Sequence, residues 1–268
     1  MRRLVILACT AVAAYLAVVL LLWWQQELLV FAGAGRGDRP VEAAGVRALQ
    51  LPGSAGVPFR LAEAVPAAPR ALVLFFVGNG EDLRSAARQV AELADYGVAA
   101  VAPEYPGYGL SAGRPSVATL LATADVAATY AAQRARELGV PFLVGGSSLG
   151  TFCAVHVAAQ GHAQRLLLRA PPTTMADAAQ QRYWWLPVRL LLRHCFDSVS
   201  VAPRISCPVL IVHGDADPIV PLALGERLRA AFAGPAELIV VPGAGHNDLS
   251  LARSGPVGAR VAEFLRGP

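Results

Sequence analysis

Gly146-Ser147-Ser148-Leu149-Gly150 sets a serine between two glycines directly after the apolar run Phe142-Leu143-Val144. This is G-x-S-x-G in a strand-turn-helix context, where a strained turn exposes a hydroxyl. Ser148 is the central residue, since centring on Ser147 would put Leu149 at the second glycine position. A serine hydroxyl is a weak nucleophile at neutral pH and needs an adjacent base that an acid orients. His246 ends Pro242-Gly243-Ala244-Gly245-His246, a glycine loop after the last apolar run, and is the expected base. His156 and His162 fall within and at the end of the helix after the elbow, His194 in an insertion, and His213 at a strand end, so they are placed worse. The acid comes from His213-Gly214-Asp215-Ala216-Asp217, where Asp217, farther out and followed by Pro218, is favoured. Asp215 then reads as a loop-forming residue, and Asp248 as the N-cap of the last helix. Acyl chemistry also needs donors for a developing oxyanion. The amide of Leu149 is one candidate, and Asn79 in Gly78-Asn79-Gly80 is the other.

These residues need strands to carry them. Val46–Leu51 and Val57–Ala64 read as short antiparallel strands around Pro52-Gly53-Ser54. Six apolar runs bounded by Gly or Pro follow: Ala71–Val77, Val98–Ala102, Pro141–Val144, Arg165–Arg169, Val209–His213 and Leu238–Val241. Helical stretches alternate with them at Asp82–Asp95, Ser116–Leu138, Leu149–Gln160, Pro221–Phe232 and Leu251–Leu265. Continuous apolar strands separated by helices predict an α/β fold, a mostly parallel sheet covered on both faces, which the leading hairpin makes mixed. The irregular insertion 171–203 carries Tyr183, Trp184 and Trp185 and is expected to form a cap with those aromatics near substrate.

Across 268 residues, 55% are hydrophobic and 16% charged, which disfavours disorder and points to a large core or a membrane segment. All the basic residues among the 23 Lys+Arg are arginine, so phosphate loops and Schiff bases that need lysine are excluded. The arginines are scattered, and no nucleic-acid motif accompanies them, so no nucleic-acid partner is expected. Cys9, Cys153, Cys195 and Cys207 lack Cys-x-x-Cys spacing, so a metal site is not expected. Buried thiols are the favoured state, with a Cys195–Cys207 bridge open in an oxidising compartment.

Leu4 to Trp24 is uncharged, long enough as a helix for the ~30 Å hydrocarbon core. Arg2-Arg3 precede it, and the next basic residue is Arg36. That asymmetry predicts a single-pass anchor over residues 1–26, with the N-terminus cytoplasmic and the domain 27–268 outside. A cleaved signal ending at Ala32-Gly33-Ala34 and a buried core helix are the alternatives. A Gly/Arg/Pro-rich connector, Gly33 to Pro40, follows.

Taken in order, these sites make residues 40–268 resemble an α/β-hydrolase, and more closely the membrane-anchored bud-emergence (Bem-type) branch. That branch is related to α/β-hydrolase-domain lipases and protein depalmitoylases. The resemblance rests on Phe76–Gly80, Glu104–Ser116 (EYPGYGLSAGRPS), the Ser148 elbow, Cys207–Gly214, Asp217–Pro221 and Pro242–His246. It implies Ser148, Asp217 and His246 as a triad, Asn79 and Leu149 as the oxyanion hole, no cofactor, and one N-terminal membrane helix. Two departures stand out: Val77 where the family usually has His, and Glu104 where Asp is common. The expected activity is hydrolysis of an ester or thioester of an apolar acyl group, on a small-molecule, lipid or acylated substrate. An amide or peptide hydrolase and a silent, membrane-tethered binding module are the alternatives; the oligomeric state is not legible.

Overall fold

The computed structural model describes residues 1–37 and 43–267, so the last three residues of the Gly33–Pro40 connector lie outside the described residues. The chain opens with helix α1 (Arg2–Trp24) and the short α2 (Gln26–Val30). Eight strands then follow: β1 (Val46–Leu51), β2 (Phe59–Ala64), β3 (Leu72–Phe76), β4 (Ala99–Pro103), β5 (Phe142–Ser147), β6 (Leu166–Arg169), β7 (Val209–Gly214) and β8 (Ala236–Val241). They form one sheet in the order β1-β2-β4-β3-β5-β6-β7-β8. The β1–β2 and β2–β4 pairs are antiparallel and all others parallel, giving the mixed sheet that the hairpin implied.

Helices α3 (Leu83–Ala94) and α4 (Val117–Leu138) connect β3 to β4 and β4 to β5. The chain reverses direction across the sheet at that point, so two right-handed crossovers put these helices on opposite faces. Helix α5 (Gly150–Ala158) packs beside α4, and α8 (Leu222–Ala231) covers β7 and β8. Tyr96, just beyond α3, donates to the Leu251 carbonyl at the approach to α9 (Gly258–Arg266), which ties those two elements together. Strands β3 and β4 are buried along their whole length, which explains their unbroken apolar sequence. Asp82 caps α3 through the Ser85 amide, and Ser116 with Thr119 forms a reciprocal capping box on α4.

Three expectations change. The last helix begins at Gly258, not Leu251, because Gly255-Pro256 interrupts it and proline disfavours helix in the residue before it. The insertion 171–203 holds only two short helices, α6 (Met175–Arg182) and α7 (Val188–Leu191), separated by a turn at Pro187. The cysteines are all free, but only Cys153 is buried; Cys9 and Cys195 are exposed and Cys207 half-buried. Helix α1 is long and apolar enough to cross a membrane and has no buried residue, which rules out the core-helix alternative.

Candidate active site

Open α/β sheets bind ligands outside the carboxyl ends of their strands, where the strand order reverses. Here that point lies between β3 and β5, and each strand end delivers a candidate group. Strand β5 runs into Ser148, whose φ of 49° lies in the left-handed region, unusual for a residue with a side chain. Sterics around that turn explain the glycines. A Cβ on Gly146 would collide with the Gly150 carbonyl, and one on Gly150 with the Phe76 and Val77 carbonyls at the end of β3. The second glycine therefore lets the elbow lie directly against the loop that carries Asn79.

Ser148, His246 and Asp217 meet although they are far apart in sequence. The Ser148 hydroxyl lies 2.9 Å from His246 Nε2, and His246 Nδ1 lies 2.7 Å from Asp217 Oδ2. An ionised carboxylate on Nδ1 fixes that nitrogen as the donor and leaves Nε2 facing the serine. Asp217 Oδ1 accepts the Ile219 and Val220 amides, both at 2.8 Å, so the carboxylate is aimed by its own turn. Burial pushes the Asp217 carboxyl upward, but the hydrogen bonds from His246 and these amides outweigh it and hold the group below the ordinary range. Asp215 is turned elsewhere and accepts the Gly243 amide, so it braces the loop before His246. Asp248 accepts the Gly245 amide and braces the same loop from the other side. It is therefore not the cap of α9, which begins ten residues later by sequence number, at Gly258.

The Asn79 and Leu149 amides donate to no acceptor among the described hydrogen bonds, as an anion-binding pair requires. The Asn79 side chain has a different task. Its Nδ2 donates to the Val30 carbonyl at 2.7 Å, and its Oδ1 accepts the Tyr108 hydroxyl at 2.7 Å. Val77, which stands where the resembled family usually has His, is buried, and its carbonyl accepts the Tyr105 hydroxyl at 2.7 Å. Glu104 accepts the Leu83 amide and the Ser111 amide and hydroxyl, a buried acid that fixes the Tyr105–Ser111 segment. His213 is wholly buried, with Nε2 at 2.8 Å from the Val220 carbonyl, and belongs to the support of the Asp217 turn.

Two cavities meet at this point. A polar one of about 180 Å³ is lined by Ser148, His246, Asn79, Glu81, Arg169 and their neighbours. Glu81 accepts the Gly78 amide, and Arg169 donates to the Ser147 hydroxyl at 2.8 Å. The sequence reading missed both residues, because a lone Glu after a Gly-Asn-Gly turn and an Arg ending a strand carry no motif. An apolar cavity of about 400 Å³ lies between the cap and the N-terminal segment and also reaches Asn79. Of the three cap aromatics, Tyr183 lines this cavity; Trp184 and Trp185 do not. Trp184 is 80% exposed, and Trp185 packs edge-on against Tyr15 of α1 at 6.1 Å. Both tryptophans sit in the turn that joins α6 to α7. Leu22, Trp23, Leu29 and Val30 line the cavity as well, a junction of the apolar N-terminus with the site that no sequence motif marks. Among the described residues, no cluster of His, Cys, Asp and Glu could hold a metal.

The family described as serine aminopeptidase, S33 matches residues 67–193, and that described as TAP-like protein matches 196–268. An uncharacterised protein of Mycobacterium tuberculosis is 37% identical over 179 residues, 67% of this chain and 64% of that protein. Alpha/beta hydrolase domain-containing protein 17B of Homo sapiens is 32% identical over 153 residues, 55% of this chain and 50% of its own length. The match thus spans less than two thirds of either relative. An esterase of Pyrococcus furiosus superposes with a TM-score of 0.67 at 15% identity, covering 87% of this chain and 98% of its own, a likeness of fold.

Proposed function

For a chain that belongs to the α/β-hydrolase superfamily, we propose a serine hydrolase that cleaves an ester or thioester of an apolar acyl group through an acyl-enzyme. The observation that carries this reading is the hydrogen-bonded order Ser148–His246–Asp217, beside the Asn79 and Leu149 amides that have no acceptor among the described hydrogen bonds. His246 Nε2 takes the Ser148 proton as Oγ attacks the acyl carbonyl, and the Asn79 and Leu149 amides hold the oxyanion. Collapse of the tetrahedral intermediate expels the leaving group, which receives the proton from His246. Water, deprotonated by the same imidazole, then releases the acid and restores the serine.

The two cavities give the substrate a direction. The apolar cavity suits the acyl chain, and the polar cavity around Glu81 and Arg169 suits the leaving group. A peptidase reading would use a cap carboxylate for the peptide amine. Asp177 is instead engaged by Arg189, Arg227 and Thr173, and Asp197 accepts the Ser200 amide. That engagement favours ester and thioester substrates over peptides. Residues 1–26 serve as a single-pass anchor with the hydrolase domain on the extracytoplasmic side, as the Arg2-Arg3 flank suggests.

The test is a series of p-nitrophenyl esters and acyl thioesters of increasing chain length, assayed on the detergent-solubilised full chain. At ~0.8 kcal/mol per buried methylene, kcat/KM rises about fourfold for each added methylene until the cavity is filled. Equal rates for acetyl and octanoyl esters would remove the acyl cavity from the reading.

A further inference from the structure

The side chain of Asn79 is held by parts of the chain that lie outside the strands of the sheet. Its Nδ2 donates to the Val30 carbonyl at 2.7 Å, and its Oδ1 accepts the Gly33 amide at 3.4 Å beside the Tyr108 hydroxyl. Two of these three partners, Val30 and Gly33, come from the segment following α1, and the third, Tyr108, from the loop after β4. This segment is fixed to the body by packing as well as by hydrogen bonds. Phe31 is fully buried, edge-on to His194 at 4.9 Å and to Phe196 at 6.4 Å. Phe196 stacks in turn on Phe152 of the elbow helix at 4.9 Å. Gly35 donates to the Gly107 carbonyl at 2.9 Å, and Ala34 bridges to Tyr108. A Cβ on Gly33 would collide with the Tyr108 ring and the Gly80 backbone, so the segment runs in direct contact with the Asn79 loop.

Its other end is fastened to the cap. Gln26 is buried, donates to the Leu191 carbonyl at 3.2 Å and accepts the Arg193 amide at 2.7 Å. The Arg193 guanidinium lies over the Trp23 ring, 4.7 Å from its centroid.

We propose that Gln26–Gly35 is a positioning element of the hydrolase site, which aims the Asn79 amide by holding its side chain, so that the active protein retains its N-terminal helix. The inference rests on the reading of Asn79 as an oxyanion donor. Cleavage after Ala34 would remove Val30 and Gly33, and with them two of the three hydrogen bonds to the Asn79 side chain, together with the buried Phe31. The segment is thus part of the enzyme and not a leader to be discarded. An anchor whose last residues are built into the site also keeps the acyl cavity at the membrane end of the domain.

The experiment uses the full chain in detergent and measures kcat, KM, melting temperature and the rate of fluorophosphonate labelling at Ser148. Tyr108→Phe removes one hydrogen bond to Asn79 while preserving the ring, and Gly33→Ala forces the segment off the loop. Loss of an oxyanion donor costs ~10²–10³-fold in kcat, and misplacing one costs part of that. Tyr108→Phe is expected to lower kcat and labelling roughly tenfold, with KM and melting temperature little changed; Gly33→Ala lowers kcat further. Leu20→Ala, an exposed change on α1 outside the clamp, leaves kcat unchanged. Should Gly33→Ala fail to fold, the intact masses of labelled, active chains decide whether the segment is retained. Wild-type kcat in a folded Gly33→Ala would overturn the proposal, as would intact masses showing labelled, active chains that begin after Ala34. A wild-type chain that folds but takes no label at Ser148 would instead overturn the underlying hydrolase reading.

Discussion

Asp217 holds His246 with one carboxylate oxygen and its own turn with the other. Asp217→Asn can still accept the two amides but offers an N–H₂ to His246 Nδ1, so the imidazole takes the wrong tautomer. In the proposed mechanism kcat falls by up to ~10⁴-fold, measured on a short-chain ester, while Asp215→Asn loses only a loop contact and stays within a few-fold of wild type. The opposite ranking would move the acid role to Asp215. Because the folded Asp217 carboxyl lies below its ordinary range, its stabilising contribution is present above the unfolded pKa of ~3.9. That contribution is lost as pH falls through the lower folded value. Asp217 therefore stays ionised near neutrality and keeps its acceptor for His246 Nδ1 there. At this scale the motifs were legible because the chemistry dictates them: a strained turn demands Gly146 and Gly150, and a distant base demands a loop. Glu81, Arg169 and the Tyr108–Asn79 contact were not legible, since each depends on which strand ends become neighbours.

Elements set what the site can accept. Helices α6 and α7 with the end of α1 enclose the acyl cavity, and Ala179 lies on its wall. Ala179→Phe should fill part of that volume and lower kcat/KM for an octanoyl ester by at least tenfold, at a few kcal/mol for the methylenes displaced. An acetyl ester should be hydrolysed as before. Equal losses on both esters would place the acyl group elsewhere. The strands were readable from continuous apolar runs, and their mixed pairing from the early hairpin. The cap was readable as an interruption but not in detail: a turn from Tyr183 to Pro187 separates two short helices, and Trp184 within it is exposed. The onset of α9 escaped for a similar reason, since Gly255-Pro256 weighs against helix more than the surrounding periodicity favours it.

At the scale of the whole molecule, the sequence suggested a boundary between an anchor over 1–26 and a domain over 27–268. Trp23 and Gln26, on the anchor side of that boundary, contact the cap through Arg193 and Leu191. Periodicity could not reveal it: an all-apolar helix and a buried phenylalanine look alike until a partner surface exists. If α1 spans the bilayer with Arg2-Arg3 inside, carbonate extraction leaves a C-terminally tagged chain in the membrane, and protease added outside the cytoplasm removes the tag. A tag protected from external protease would reverse the orientation. The central claim, acyl transfer at Ser148, is tested most directly by one measurement: intact-mass and peptide analysis of the solubilised full chain after reaction with a fluorophosphonate. One adduct per chain, on Ser148 and absent from Ser148→Ala, is the expected result. A folded wild-type chain that takes no adduct, or carries it on another residue, would contradict the claim.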